Sequence, residues 1–291
     1  MISGTIIKGI GGFYYIDTEQ GVYECRARGI FRKEKLKPTV GDFVKISVLD
    51  EKNKKGSLDF IEPRKNMLIR PRVSNVEQAV IVFAAVSPNI NVDLLDRFLI
   101  LVAEQKLDVL ICINKIDLDT EKNYESIKKI YETSGYKVIC LSAEKGIGIE
   151  ELKKELKNKI SVFAGPSGVG KSSLINAVAP DLKLKTGEIS AKIERGKHTT
   201  RHAELMQIEE HSYIVDSPGF TSLFLEHIPA EELQYYFKEF EPYLNGCRYT
   251  GCSHIHEPDC EVKEHIGEEI PNERYERYVN LYNELRKDRR K

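Results

Sequence analysis

Two groups of residues in this chain of 291 have the types and spacing to handle a nucleoside triphosphate. Gly165-Pro166-Ser167-Gly168-Val169-Gly170-Lys171-Ser172 is a glycine-rich run closed by Lys-Ser. Glycines let backbone N–H groups turn toward phosphate oxygens, Lys171 can reach the β- and γ-phosphates, and the Ser172 hydroxyl can ligate Mg²⁺. Asn114-Lys115-Ile116-Asp117 can read a base. A carboxylate at Asp117 accepts two parallel hydrogen bonds from the N1–H and N2–H₂ edge of guanine, a donor pair that adenine lacks. Asn114 would brace the neighbouring loop and Lys115 would lie along the base.

Hydrolysis needs more than binding, and further residues fit that need. Ser142-Ala143-Glu144-Lys145 could bring backbone amides to the guanine O6. Asp216-Ser217-Pro218-Gly219 offers an Asp that can hold Mg²⁺ through water and a Gly whose N–H can sense a third phosphate, although Ser-Pro-Gly is a turn under any fold. Between these motifs lies Gly196-Lys197-His198-Thr199-Thr200-Arg201. One Thr hydroxyl there should complete the Mg²⁺ shell, and the residues alone do not choose between Thr199 and Thr200. Phe220 stands where many GTPases carry a water-orienting Gln, and a phenyl ring cannot orient water. Two readings are open for His198: an imidazole that orients or deprotonates water near neutral pH, or an ordinary loop histidine. His202 gets the second reading.

A different chemistry is encoded near the end of the chain. Cys247-x4-Cys252-x-His254-x5-Cys260 gathers four soft or borderline ligands, which suits tetrahedral Zn²⁺ with no open position and hence a structural site. His256 is also available by spacing. Cys25, Cys112 and Cys140 fall in apolar strands and read as core residues.

These motifs must be carried by ordered elements. Lys159 to Ala164 is a short β-branched apolar run that leads into the glycine loop, and Lys171, Ser172 and Ser173 then open a helix ending before Pro180. Val109 to Ile113 delivers Asn114 to Asp117, Tyr136 to Leu141 delivers Ser142, and Ser212 to Val215 delivers Asp216. Every motif therefore sits at the carboxyl end of a strand, where open α/β sheets bind ligands. Val76 to Val86 reads as the first strand of that sheet and Val92 to Glu104 as its first helix. The base-reading motif precedes the phosphate loop it normally follows, so the chain ends have been moved relative to an ordinary GTPase.

Ahead of the sheet, Ser3 to Lys8, Phe13 to Asp17, Gly21 to Ala27 and Asp42 to Val48 alternate like strands of a small barrel such as an OB-fold. Lys8, Arg26, Arg28, Arg32, Lys33, Lys35 and Lys37, interleaved with Tyr14, Tyr15, Tyr23 and Phe31, could form an RNA-binding face, or the aromatics could fill the barrel core. A boundary falls near Pro63 to Asn66. The division expected is 1–66, a barrel; 67–225, a permuted GTPase domain; and 226–291, a helical zinc-binding domain. Pro229 to Phe240 and Pro271 to Lys291 are expected helices, the second ending in a basic tail. Net charge is -1 and the hydrophobic fraction 41%, so there is no bulk basic signature and any nucleic-acid affinity must come from patches. No apolar run approaches bilayer length and Met1 to Ile6 lacks a signal peptide's core, so a cytoplasmic protein without a membrane partner is expected.

The barrel, the reversed motifs, Phe220 after Asp216-Ser217-Pro218-Gly219, and the cysteine cluster together resemble the RsgA family of circularly permuted GTPases over nearly the whole chain. That resemblance implies an α/β GTPase fold and a GTPase stimulated by the small ribosomal subunit, acting in its late maturation on rRNA, as a monomer. It implies nucleotide contacts from Asn114, Lys115, Asp117, Ser142, Ala143, Gly165 to Ser173, Thr199, Thr200, Asp216 and Gly219. It places Zn²⁺ on Cys247, Cys252, His254 and Cys260, leaves His256 outside, and gives His198 a part in hydrolysis beside Lys171. Competing classes are a P-loop kinase or ATPase with an RNA-binding appendage, and a non-enzymatic RNA scaffold.

Overall fold

The computed structural model describes residues 1–33, 36–69, 71–182, 203–215 and 224–288. The chain forms two compact units, one of Met1–Ala79, Glu150–Ala164 and Lys171–Thr221, the other of Val80–Ile149, Gly165–Gly170 and Ser222–Lys291.

The first unit begins with β1 (Ile2–Ile10), β2 (Phe13–Thr18), β3 (Gly21–Ala27), β4 (Phe43–Asp50) and β5 (Lys55–Ile61). They close into a barrel in the order β1-β2-β3-β5-β4, with β1 antiparallel to β2 and β4 and β3 parallel to β5, the Greek-key closure of an OB-fold. Alternate residues point inward, as the two-residue strand period requires: Ile6, Ile16, Tyr23, Cys25, Val44, Ile46 and Leu58 are all buried. Tyr23 and Phe31 are therefore core residues rather than parts of an open aromatic face. Phe13, Tyr14 and Tyr15 stay half-buried, and the Arg26 guanidinium lies 4.5 Å over the Phe13 ring. Lys35 lies outside the described residues.

Asp42, fully buried, fastens the barrel to the short hairpin after it. It accepts from Arg64 Nε at 2.6 Å and Nη2 at 2.8 Å, from the Ser74 hydroxyl at 2.6 Å and from the Thr39 N–H at 2.8 Å. Ser74 belongs to that two-stranded hairpin, formed by β6 (Met67–Leu68) and β7 (Val73–Ser74).

The sheet strands are β8 (Gln78–Ala84), β9 (Asp108–Asn114), β10 (Lys137–Cys140), β11 (Ile160–Ala164), β12 (Leu205–Glu209) and β13 (Ser212–Val215). β8 starts in the first unit and ends in the second. In the first unit the order is β8-β11-β13-β12, with β11 parallel and β12 antiparallel to β13. In the second it is β10-β9-β8, with β10 parallel to β9 in the register Cys140 to Ile113. Every residue of β8 is buried, as expected of a strand covered on both faces.

The helix Val92–Glu104 comes after β8, capped by the Asn91 side chain, which accepts from the Leu94 N–H at 3.0 Å. Its covered face carries Leu95, Phe98, Leu99 and Val102 at helical spacing, each worth about 1.5–3 kcal/mol of burial. The same helix buries Asp96, which pairs with Arg274 and Arg277 and accepts from the Tyr131 hydroxyl at 2.7 Å. Arg274 also donates through Nε to Glu239 at 2.6 Å. A buried charge is tolerable only when its partners replace lost hydration, and this cluster supplies two carboxylates for two guanidiniums.

Toward the C-terminus the expected single helix is instead two 3₁₀ helices, Ala230–Tyr236 and Lys238–Tyr243. Phe237 breaks them with an extended backbone, φ −98° and ψ 99°, which lets its buried ring pack 5.4 Å from Phe240 and 5.1 Å from Tyr278. Two α-helices, Glu261–Glu264 and Asn272–Asp288, complete the unit. Of the expected basic tail, Arg286 to Lys291, Arg286 and Lys287 lie in the last turn of the second of these helices, and 289–291 lie outside the described residues. Among the described residues no helix is long and apolar enough to cross a membrane.

Candidate active site and metal centre

β9 ends at Asn114, which is buried, and the chain turns immediately because Lys115 takes the left-handed conformation at φ +62°. The Asn114 carboxamide faces two loops. Its Nδ2 donates to the Val169 carbonyl at 2.9 Å, and its Oδ1 accepts from the Ala143 N–H at 3.1 Å. Lys115 Nζ donates to the Gly168 carbonyl at 2.7 Å and to the Ser87 carbonyl. The glycine loop is thus held from outside by two side chains of the base-reading motif. Asp117 sits half-buried on the adjoining 3₁₀ turn, Ile116–Leu118. Ser142, buried, caps its own loop by accepting the Lys145 N–H at 3.2 Å.

Within the glycine loop, two positions require glycine. Gly165 has φ +133°, and a Cβ there would lie 2.1 Å from the Val82 carbonyl oxygen. Gly170 has φ +95°, and a Cβ would meet Asn114 Nδ2 at 2.3 Å. Pro166, Ser167 and Gly168 cross the loop between them, Ser167 and Gly168 exposed. Lys171 then starts the helix Lys171–Val178 and is 3 % exposed; Ser172 is buried and Ser173 half-buried. Burial pulls the Lys171 ammonium down to about 8, a cost that an anion beside it would remove. His198, Thr199, Thr200, His202, Asp216, Gly219 and Phe220 lie outside the described residues.

The cysteine cluster closes in space. The ligand atoms of Cys247, Cys252, His254 and Cys260 all lie within 4.8 Å of one another, a group that could hold a metal ion. Cys247 Sγ is 3.8 Å from Cys260 Sγ, and His254 Nδ1 is 3.5 Å and 3.3 Å from the same two sulfurs. A tetrahedral ion with metal–sulfur bonds of about 2.3 Å and a metal–nitrogen bond of about 2.0 Å sets these edges at roughly 3.8 and 3.5 Å, so the donor set fits. His256 is exposed and outside this group. Burial pushes the Cys252 thiol up to about 12, raises Cys260 and lowers His254; a divalent cation reverses the thiol shifts by favouring thiolate.

Several residues around this centre carry no motif. Burial acts to raise the Glu257 carboxyl, but hydrogen bonds from Ser253 and Ile255 outweigh it and hold it at about 2. Glu257 thereby rigidifies the loop in which His254 adopts φ +60°. Tyr275 and Tyr278, from the last helix, donate to the carbonyls of His254 at 2.7 Å and Ser253 at 2.9 Å. A Tyr-x-x-Tyr helical spacing was the only sequence signal for them.

Residues 61–226 match the RsgA GTPase family and residues 3–57 the RsgA N-terminal domain. The chain is 50% identical over 291 residues, all of both chains, to the small ribosomal subunit biogenesis GTPase RsgA of Alkaliphilus metalliredigens. It is 48% identical to the protein of that name from Caldanaerobacter subterraneus subsp. tengcongensis, covering 98% of this chain and 96% of the relative. Among solved structures, YjeQ from Thermotoga maritima superposes with a TM-score of 0.82 at 39% identity, over 98% of each chain. YloQ, described as a circularly permuted GTPase, gives 0.82 and 39%, over 99% of this chain and 96% of that one. Agreement of this depth along both chains means that the protein belongs to the RsgA GTPase family.

Proposed function

We propose that this GTP hydrolase works in small ribosomal subunit biogenesis, binding the small subunit and its rRNA late in maturation, with turnover stimulated by that particle. The observation that supports the reading most directly is the Asn114 carboxamide, bonded to the Val169 carbonyl and the Ala143 N–H, so that base-reading and phosphate loops are set against each other by one side chain.

In this reading Asp117 selects guanine, the amides of Ser142 and Ala143 contact O6, and the backbone N–H groups from Gly165 to Ser173 cradle the phosphates. Lys171 neutralises the β- and γ-oxygens. Mg²⁺, which offsets charge on those oxygens, would be held by Ser172, by Thr199 or Thr200, and through water by Asp216, with Gly219 sensing the γ-phosphate. His198 orients or deprotonates water, since Phe220 cannot. Zn²⁺ on Cys247, Cys252, His254 and Cys260 is structural, because the four donors leave no open position. The chain works as a cytoplasmic monomer of three parts, 1–66, 67–225 and 226–291. The segment after Gly219 leads in chain order to the metal-bearing part, so nucleotide state would control docking: GTP favours binding to the subunit and hydrolysis releases it.

The experiment is subunit binding by the protein loaded with a non-hydrolysable GTP analogue or with GDP. Tighter binding of the analogue form is expected, and equal affinity would remove the switch. His198→Ala should spare GTP binding and depress subunit-stimulated turnover; unchanged turnover would end its catalytic role.

A further inference from the structure

The metal centre has a polar partner that no motif marks. Gln234, half-buried on the 3₁₀ helix Ala230–Tyr236, places its Oε1 2.7 Å from His254 Nε2. Its orientation is not free, because its own Nε2 donates to the Glu231 carbonyl at 2.8 Å. With the amide nitrogen so committed, the oxygen faces the imidazole and can only accept. The His254 proton then belongs on Nε2, and the lone pair is left on Nδ1, the atom directed at Cys247 and Cys260. His254 is 1 % exposed, so with Gln234 in place solvent does not compete for this atom.

We propose that Gln234 is the positioning residue of the metal centre, fixing the tautomer and ring plane in which His254 binds Zn²⁺ through Nδ1. The proposal rests on the zinc reading of the cysteine cluster. Three features support it. A ligating imidazole is a better donor when its other N–H is bonded, and such outer partners typically carry about 10- to 100-fold in metal affinity. The ring is held from its other sides without specifying the tautomer: Phe240 packs edge-on with centroids 6.0 Å apart, and Tyr275 fixes the His254 backbone. Gln234 also lines a cavity of about 260 Å³ together with Cys247, Cys252, His254, Tyr235 and Tyr249, so shortening it would open the centre to water.

The test is zinc content and zinc affinity of the full-length chain, read by competition with a chromogenic chelator, for wild type, Gln234→Ala and Gln234→Glu. Gln234→Ala should bind zinc about 10- to 100-fold more weakly and release it faster. Gln234→Glu keeps an acceptor for the His254 N–H while giving up the bond to the Glu231 carbonyl, so it should bind zinc more tightly than Gln234→Ala, which also controls for folding. In cobalt-substituted protein the ligand-field bands of three sulfurs and one nitrogen should persist in Gln234→Glu. Unchanged affinity in Gln234→Ala overturns the role of Gln234 while leaving the zinc reading intact. Equal weakening by both variants overturns it too, since packing would then be the cause. Wild-type protein that takes up no zinc removes the metal reading itself, and the proposal with it.

Discussion

Asn114 Nδ2 donates to the Val169 carbonyl at 2.9 Å, across a loop whose next residue, Gly170, has no side chain to obstruct it. This contact joins residues 55 positions apart in the chain, in an order reversed from that expected of the two motifs. The two loops meet here as side chain and backbone.

Gly170→Ala should therefore harm nucleotide binding in the same way as Asn114→Ala. A methyl group at Gly170 would displace the Asn114 amide and would require a left-handed alanine. Loss of a buried hydrogen bond costs about 1–3 kcal/mol, so GDP affinity should fall roughly 10- to 100-fold in either variant. The double variant should be little worse than the worse single one. Additive losses, measured with a fluorescent GDP analogue, would show that the two residues act separately.

Asp117→Asn exchanges a two-acceptor edge for one acceptor and one donor. GTP affinity should drop at least about 100-fold, as expected when a charge-assisted pair of bonds is lost, while xanthosine triphosphate, which presents an acceptor where guanine has its amino group, should gain. Competition among GTP, ATP and xanthosine triphosphate decides this. ATP binding as tight as GTP in the unaltered protein would favour an ATPase instead.

Lys171 gives a pH dependence of known sign. Burial lowers its folded-state value to about 8 against an ordinary 10.5. Below pH 8 the group is charged in both states and its desolvation cost is fully present. Between pH 8 and 10.5 the unfolded chain binds more protons, so the stability of the nucleotide-free protein gains with rising pH. Nucleotide needs the charged form, so binding above pH 8 takes up a proton, and affinity should fall about tenfold from pH 7 to pH 9. Lys171→Gln should bind weakly but show a flatter profile. A wild-type profile as flat as that variant's would contradict the shifted lysine.

Asp96→Asn should destabilise the protein by about 3–5 kcal/mol, because the buried Arg274 guanidinium and the largely covered Arg277 lose a shared counter-charge. Arg97→Ala, which breaks the more exposed pair with Glu284 from the same helix, should cost no more than about 1 kcal/mol. Denaturant titration compares them, and similar losses would mean that the buried cluster contributes nothing special.

The elements around the nucleotide loops were legible because each is a short apolar run ending in a motif: β8, β9, β10, β11 and β13 match the expected segments to within a few residues, and the helix Val92–Glu104 coincides with its expected span. β5 was not, since Gly56 puts no side chain at one inward position and a register shift at Asp59 interrupts the alternation before Ile61; Asp59 accepts from the Ser57 and Ser47 hydroxyls and pairs with Arg28 from elsewhere in the barrel. The bend at Phe237 was hidden for a similar reason: local spacing favours a helix, while the tertiary position of one aromatic ring overrides it. Asp96, Gln234 and Glu257 read as surface polar residues until the pairings that bury or orient them are seen.

GTP turnover with and without purified small ribosomal subunits tests the central claim most directly. Slow intrinsic hydrolysis that rises strongly with added subunits, and that is lost in Lys171→Ala, is the expected result. Turnover indifferent to the subunit, or surviving in Lys171→Ala, would contradict it.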